Sequence, residues 1–485
     1  MKKQPFLITT AVLLQIANSL LPTMSCAQQI AAGNGHSLAI CSDSTIRAWG
    51  WNVWGQLGNG SNSDSNVPVQ VSSLTGIIAI AGGSYHSLAL KNDGTVWAWG
   101  NNNGGQLGTG TGYGTDSNIP VEVSSLTGVI TIAGGSYHSL ALKNDGTVWA
   151  WGDNLFGDLG DGSSGVYAYS YVPVQVNSLT GIIAIGAGAD YSVALKNDGS
   201  VWAWGWDKYG QLGNGDTTDS NVPVQVSSLT GITAISIGWG HSLALKNDGT
   251  VWAWGWNQYG QLGNGDTTDS NVPMQVGSLT GITAIAAGYA HSLAVKNDGT
   301  LSAWGANYYG ELGNGTNSDS NIPVQVNSLT GIAAIATGYY HSLALKNDGT
   351  LWAWGANANG QLGNGTNTDS NVPVQVMGLC QILSSVNDAS TPLPKPSGQV
   401  SISVSIFPNP TSANSSITYI LSTPATVTID LYDVLRNKLQ QLVNGDQQQG
   451  EHNTTFDTRK LANGVYVLQI RAGDQVAEQK VVVMN

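Results

Sequence analysis

His86 to Gly108 reads HSLALKNDGTVWAWGNNNGGQLG, and the chain keeps returning to this segment. Its first position recurs at His36, His86, His138, Tyr191, His241, His291 and His341, in steps of 50, 52, 53, 50, 50 and 50 residues. A fixed period of this size is the signature of a solenoid, a propeller or an array. Inside the unit, HSLAL and TVWAWG are short apolar runs separated by Lys91-Asn92-Asp93-Gly94. Asp-Gly between two such runs signals a hairpin, because glycine tolerates the positive φ that the turn demands. Ahead of the hairpin, Gly76 leads into IIAIAG, which reads as a short strand buried on both faces. Behind it come a Gly-rich loop, GQLGTG, and a fourth strand at Ile119 to Val123.

That fourth strand carries a proline in every copy: Pro68, Pro120, Pro173, Pro223, Pro273, Pro323 and Pro373. Proline cannot donate to a ladder, so it belongs on an edge strand, where it also blunts unwanted pairing. Each unit is therefore a four-stranded antiparallel blade with its last strand outermost. Such blades around an axis make an all-β, seven-bladed β-propeller. A helical solenoid is excluded by Gly and turn signals every few residues. Large Trp and Leu side chains alternate with Ala, Ser and Gly, as expected where one blade fills the space beside the next. Trp252 is expected to occupy such a site between blades.

The pattern G-x-x-H-S-L-A-L, then D-G-x-V-W-x-W-G-x-N-x-x-G-Q-L-G, resembles the regulator of chromosome condensation repeat family. The resemblance covers residues 28–383, most of the chain. It implies a propeller that serves as a platform for other macromolecules. The founding member of the family is a guanine nucleotide exchange factor, and secreted bacterial relatives include a β-lactamase inhibitor protein that binds through one face of the ring.

The two ends read differently. Met1-Lys2-Lys3, an apolar run from Phe6 to Leu21 and Ser25-Cys26-Ala27 make residues 1–27 a secretory signal peptide. The mature chain has no long apolar segment, so no transmembrane span is expected. Localisation is then secreted or cell-surface. The net charge is −13, and losing Lys2 and Lys3 with the leader makes it two units more negative. A chain so acidic lacks the footprint of a nucleic-acid binder. Cys41 and Cys380 remain after the leader; they lie where first and last blades meet, and an oxidising compartment favours their pairing as a disulfide. Residues 384–399, rich in Pro and Ser, read as a linker.

Residues 400–485 show short alternating runs with turn signals at Asn444-Gly445 and Asn463-Gly464, as in a small Ig-like β-sandwich. This tail resembles the type A sorting domain of the type IX secretion system of Bacteroidetes. The matching pieces are Phe407-Pro408-Asn409-Pro410, Leu431-Tyr432-Asp433, Leu461 to Tyr466 with its Gly464, and Lys480-Val481-Val482. Arg436 departs from the pattern, which usually has Gly there. The resemblance implies that the secretion machinery is a partner and that the chain crosses the outer membrane.

No catalytic constellation stands out, and no cofactor is expected. The GQLGNG loops lack the Lys-Ser/Thr of a phosphate-binding loop. Histidines repeated at equivalent strand starts read as structural, since catalysis needs one asymmetric group. The third repeat departs with Asp153, Asp158 and Asp161, and the fourth with Asp190 beside Tyr191. An acidic pocket or a calcium site is one reading of these carboxylates; turn chemistry accounts for most such residues, and no metal site is assigned. Asp219, Asp269, Asp319 and Asp369, ahead of the outer strands, read as Asx turns.

Strand alternation puts two loops of each blade on one face of the ring, and their variable slots are rich in aromatics. The loop before the His holds Tyr85, Tyr137, Trp239, Tyr289, Tyr339 and Tyr340. The loop after Trp-Gly holds Trp54, Phe156, Trp206, Tyr209, Trp256, Tyr259, Tyr308 and Tyr309. Aromatics gathered on exposed loops mark an interaction surface; packing against neighbouring loops is the competing explanation. Trp206, Trp239 and Trp256 are expected to be partly exposed neighbours. The expected function is a monomeric binding propeller for an extracellular protein, with a glycan-binding lectin as the alternative and an enzyme a distant third.

Overall fold

Each blade begins from its hairpin. Strands His86–Lys91 and Val96–Gly100 pair antiparallel from His86↔Gly100 to Leu90↔Val96. Gly94 closes the turn at φ +80, and the Asp93 carboxylate accepts hydrogen bonds from both the backbone N–H and the hydroxyl of Thr95. The inner strand Ile77–Gly82 and the outer strand Ser117–Glu122 complete the sheet in chain order. The proline-bearing strand is outermost.

The computed structural model describes residues 29–380, 402–407, 414–421, 424–432, 438–459, 461, 464–472 and 475–483. The segments expected as signal peptide (1–27) and linker (384–399), with Pro408, Asn409, Pro410, Asp433 and Asn463, lie outside them. Among the described residues every regular element is a strand, and seven four-stranded sheets follow one another. The inner strand of the seventh blade contacts that of the first, so the ring closes. The inner strands are not buried on both faces: Ile77–Gly82 is partly accessible at Ile78, Ala81 and Gly82. Small residues from all seven blades line a narrow central channel there.

The repeat motif is the hardware of the blade interfaces. His86 Nε2 meets Ser139 Oγ of the next blade at 2.8 Å, and His341 meets Ser37 at 2.9 Å across the closure. Ser139 Oγ donates in turn to the Gln106 carbonyl, so the imidazole must be the donor at Nε2. Trp151 Nε1 donates to that same carbonyl at 2.8 Å, using its second lone pair. The G-x-x-H spacing has a steric cause: a Cβ on Gly83 would lie 2.2 Å from the His86 ring. Where the histidine is replaced, the Tyr191 hydroxyl lies 3.1 Å from Ser242 Oγ and donates to the His241 carbonyl.

The invariant tryptophan at the interface is the second of the W-A-W triplet. Trp254 is fully buried and hydrogen-bonded to the Gln211 carbonyl of the preceding blade. Trp252, expected in that role, is only half-buried. Both point to the same face, two residues apart, and Trp252 packs at the margin of the cluster between blades four and five that holds Leu212 and Trp254. Cys41 and Cys380 are joined as a disulfide with Cα atoms 5.6 Å apart, linking the hairpin of the first blade to the end of the last.

The second compact unit, Ala389–Asn485, contains a three-stranded sheet (Ile402–Phe407, Asn414–Leu421, Gly450–Asp457). A four-stranded one is ordered Lys438–Gln447, Ala425–Tyr432, Gly464–Ala472, Gln475–Val483. Ile417, Tyr419 and Phe456 from the first sheet share one core with Val427, Ile429 and Leu431 from the second. Asn444-Gly445 is not a turn: it runs inside a strand, paired with Thr428 and Val427. No helix long and apolar enough to cross a membrane occurs among the described residues.

Candidate functional site

Both variable loops emerge on the face opposite the Asp-Gly hairpins, and their rings touch in sequence. Phe156 meets Trp206 at 5.9 Å, Trp206 meets Trp239 at 5.5 Å, and Trp239 meets Trp256 at 5.3 Å. The series continues through Tyr289 to Tyr339 and Tyr340, then to Tyr309 and Tyr308. Tyr209 and Tyr259 flank Trp256 on its outer side. A shorter arc joins Trp51, Tyr85 and Tyr137. Edge and tilted contacts at these separations are the favourable arrangements for aromatic pairs.

Exposure varies along the belt. Tyr308 is 75% and Tyr259 37% exposed, and Trp206, Tyr209, Trp239, Tyr289, Tyr309 and Tyr340 are half-buried. Trp256, expected to be partly exposed, is only 7% exposed, because Trp239, Tyr209, Tyr259 and Tyr289 surround it. Tyr339 turns inward: its hydroxyl reaches Ser84 Oγ at 2.6 Å and Ser136 Oγ at 2.9 Å, bridging to the second and third blades at the channel mouth.

Tyr259, Tyr289, Tyr308, Tyr309 and Tyr340 wall a cleft of about 540 Å³ with Glu311 among its lining residues. Glu311 replaces the usual Gln of the GQLG loop, accepts the Tyr309 N–H at 2.9 Å and is 1% exposed. Burial pushes its carboxyl up to about 7. Burial also pushes the Tyr340 phenol up to about 12. Aromatic walls around a carboxylate suit a cationic side chain.

Seven copies of one fourfold sheet, closed by His–Ser and Trp–carbonyl links, leave little ambiguity about ancestry. A family model described as the RCC1-like domain matches residues 112–476. The regulator of chromosome condensation (RCC1) repeat matches residues 46–90, and a second model of that repeat matches 27–56 and 77–106. The chain belongs to the RCC1-like family. The ultraviolet-B receptor UVR8 of Arabidopsis thaliana is 36% identical over 196 residues, 39% of this chain and 44% of that one. The E3 ubiquitin-protein ligase HERC2 of Homo sapiens is 34% identical over 190 residues, 38% of this chain and 4% of that one. The chain thus matches less than half the length of these relatives. Among solved structures, Prp20p of Saccharomyces cerevisiae superposes with a TM-score of 0.61 at 24% identity, covering 75% of this chain and 89% of its own. Human WBSCR16 gives 0.63 at 25%, covering 68% and 94%.

The six repeat histidines do not belong to this face. All are fully buried, and burial holds His86, His241, His291 and His341 down at about 3 and His36 and His138 at about 4. They are neutral interface hydrogen-bonders. Asp219, Asp269, Asp319 and Asp369 are not local Asx turns. Each reaches twelve residues back to the N–H of Asp207, Asn257, Asn307 or Asn357, stapling the base of the aromatic loop. The residues expected to form a sorting motif are in the other unit: Leu431 is buried in its core, Tyr432 and Tyr466 are half-buried, and Gly464 and Lys480 lie on paired strands.

Proposed function

We propose that this RCC1-like propeller is a secreted or surface-displayed protein-binding module whose partner docks on the aromatic loop face. The observation that carries the reading is the unbroken run of ring contacts from Phe156 to Tyr308, with its exposed end at the cleft around Glu311. Interfaces draw most of their affinity from a few aromatic anchors. The run occupies blades three to seven and is interrupted elsewhere, which suits one asymmetric partner better than a set of equivalent sugar sites. The negative net charge favours a partner with a basic patch, steered to the face and placing a Lys or Arg in the cleft. Relatives fit this role: Prp20p has binding properties toward Gsp1p and histones, and yeast RCC1 is seen bound to Kap60. The C-terminal unit serves as the export signal for the type IX secretion machinery.

The test is capture of partners from culture supernatant and cell-surface extract by the wild-type chain and by a Trp206→Ala, Tyr259→Ala, Tyr308→Ala variant. A partner held by the first and lost by the second supports the reading. Binding on a glycan array at several blades, with no protein captured, favours a lectin instead.

A further inference from the structure

Three aspartates break the repeat where blades three and four meet. At the slot after Trp-Gly the chain has Trp51, Asn101, Asp153, Trp206, Trp256, Ala306 and Ala356. At the slot before the anchor position it has Gly35, Tyr85, Tyr137, Asp190, Gly240, Ala290 and Tyr340. In the GQLG loop, Asp158 stands where five blades have Gln and one has Glu. Each slot holds aspartate once in seven copies, and the three converge: one carboxylate oxygen from each lies within 4.8 Å of the others.

The loop slot explains why Asp158 is not there for the fold. In the other blades the longer side chain curls back to accept the backbone N–H two residues earlier, as Gln211 does from Tyr209 and Gln261 from Tyr259. Asp158 is one methylene shorter. Both its oxygens are fully buried and neither has a hydrogen-bond partner. An unpaired buried carboxylate is among the costlier things a protein can retain. By contrast Asp161, in the same loop, is spent on a turn, accepting the N–H and hydroxyl of Ser163.

We propose that Asp153, Asp158 and Asp190 form a divalent-cation site of the calcium class, bridging blades three and four in the gap of the aromatic belt. Three carboxylates offer up to six hard oxygens with no nitrogen or sulfur donor, which suits calcium rather than zinc. Asp153 and Asp190 are half-buried, so the site is reachable from the loop face. Its borders are the belt itself: Asp153 N–H donates to the Tyr137 carbonyl, and Trp206 N–H donates to the Asp190 carbonyl. The cation therefore fixes the loops that carry Tyr137 and Trp206.

Calcium titration of the full chain, followed by calorimetry and by thermal unfolding, tests this. The expected result is one site per chain, a dissociation constant below about 1 mM and a rise in Tm with calcium concentration. Asp158→Gln restores the side chain of the other blades and should fold at least as well without calcium, while binding falls at least about tenfold, since ligand charge sets affinity in such sites. Asp190→Asn should weaken binding likewise. No binding at about 10 mM calcium, or binding that survives Asp158→Gln, overturns the proposal.

Discussion

Trp254→Ala should be among the most damaging single changes in the propeller, and Trp252→Ala among the milder. The indole of Trp254 is fully buried between two blades, and its Nε1–H occupies the Gln211 carbonyl at 2.9 Å. Truncation opens a cavity worth about 3–5 kcal/mol. Trp254→Phe keeps one aromatic ring but loses the donor and part of the indole's volume, so it should cost less than Trp254→Ala and more than the about 1–3 kcal/mol of the unpaired carbonyl alone. Trp252 is half-buried, with an Nε1 that already lacks a partner, so its removal should cost about 1–2 kcal/mol. The chain contains its own precedent, since the first tryptophan of the triplet is Arg47 in blade one and Ser302 in blade six, while the second is Trp in all seven. Urea unfolding followed by near-UV circular dichroism, with slopes compared to check that the transition is unchanged, measures all three. If Trp252→Ala shifts the midpoint as far as Trp254→Ala, the assignment of interface and margin is wrong.

The disulfide should be complete in the native chain, and Cys41→Ser with Cys380→Ser should lower stability by up to about 5–6 kcal/mol on the chain-entropy account for a 339-residue separation; free thiols in the native protein would contradict it. Acid sensitivity follows from six buried imidazoles held below the ordinary 6.5, each losing about 1.4 kcal/mol of stability per pH unit as the unfolded chain protonates below that value. Asp207 and Glu311, raised to about 7, work in the opposite sense until unfolded carboxyls protonate near pH 4; two carboxyls offset only part of what six imidazoles lose, so stability should fall by several kcal/mol per pH unit from about pH 6.5 downward, and a flat profile to pH 4 would exclude neutral burial. Removing residues 400–485 should leave the propeller folded and retain it in the periplasm; normal surface display by the truncated chain would show that the tail carries no export signal.

The fold was legible because one unit was written seven times, and because Asp-Gly, Trp-x-Trp and the edge prolines each admit one reading. What escaped was depth and reach. Alternation told which face Trp252 and Trp254 share, but not that Trp252 sits half-buried at the margin of the interface while Trp254 is fully buried. Asp219 and its counterparts looked local because nothing in the sequence shows a twelve-residue loop folding back on its own base. In the C-terminal unit the strand Gly450–Asp457 is polar, with Phe456 the residue it sends into the core, so no alternation announced it. The aspartates of blades three and four were visible as departures, yet only their convergence separates Asp153, Asp158 and Asp190 from the turn-forming Asp161. The aromatic slots were found, whereas their mutual packing, which buries Trp256 and turns Tyr339 inward, depends on contacts between different loops, up to the 255 residues that separate Ser84 and Tyr339.

The central claim is that a protein partner docks on the aromatic face, and site-directed photocrosslinking tests it most directly. A photoreactive phenylalanine at Tyr308 or Tyr259, both exposed at the belt, should crosslink the captured partner. The same probe at Asn92 or Asn247, in hairpin turns on the opposite face, should not. Crosslinking from the hairpin face, with none from Tyr308 or Tyr259, would contradict the account.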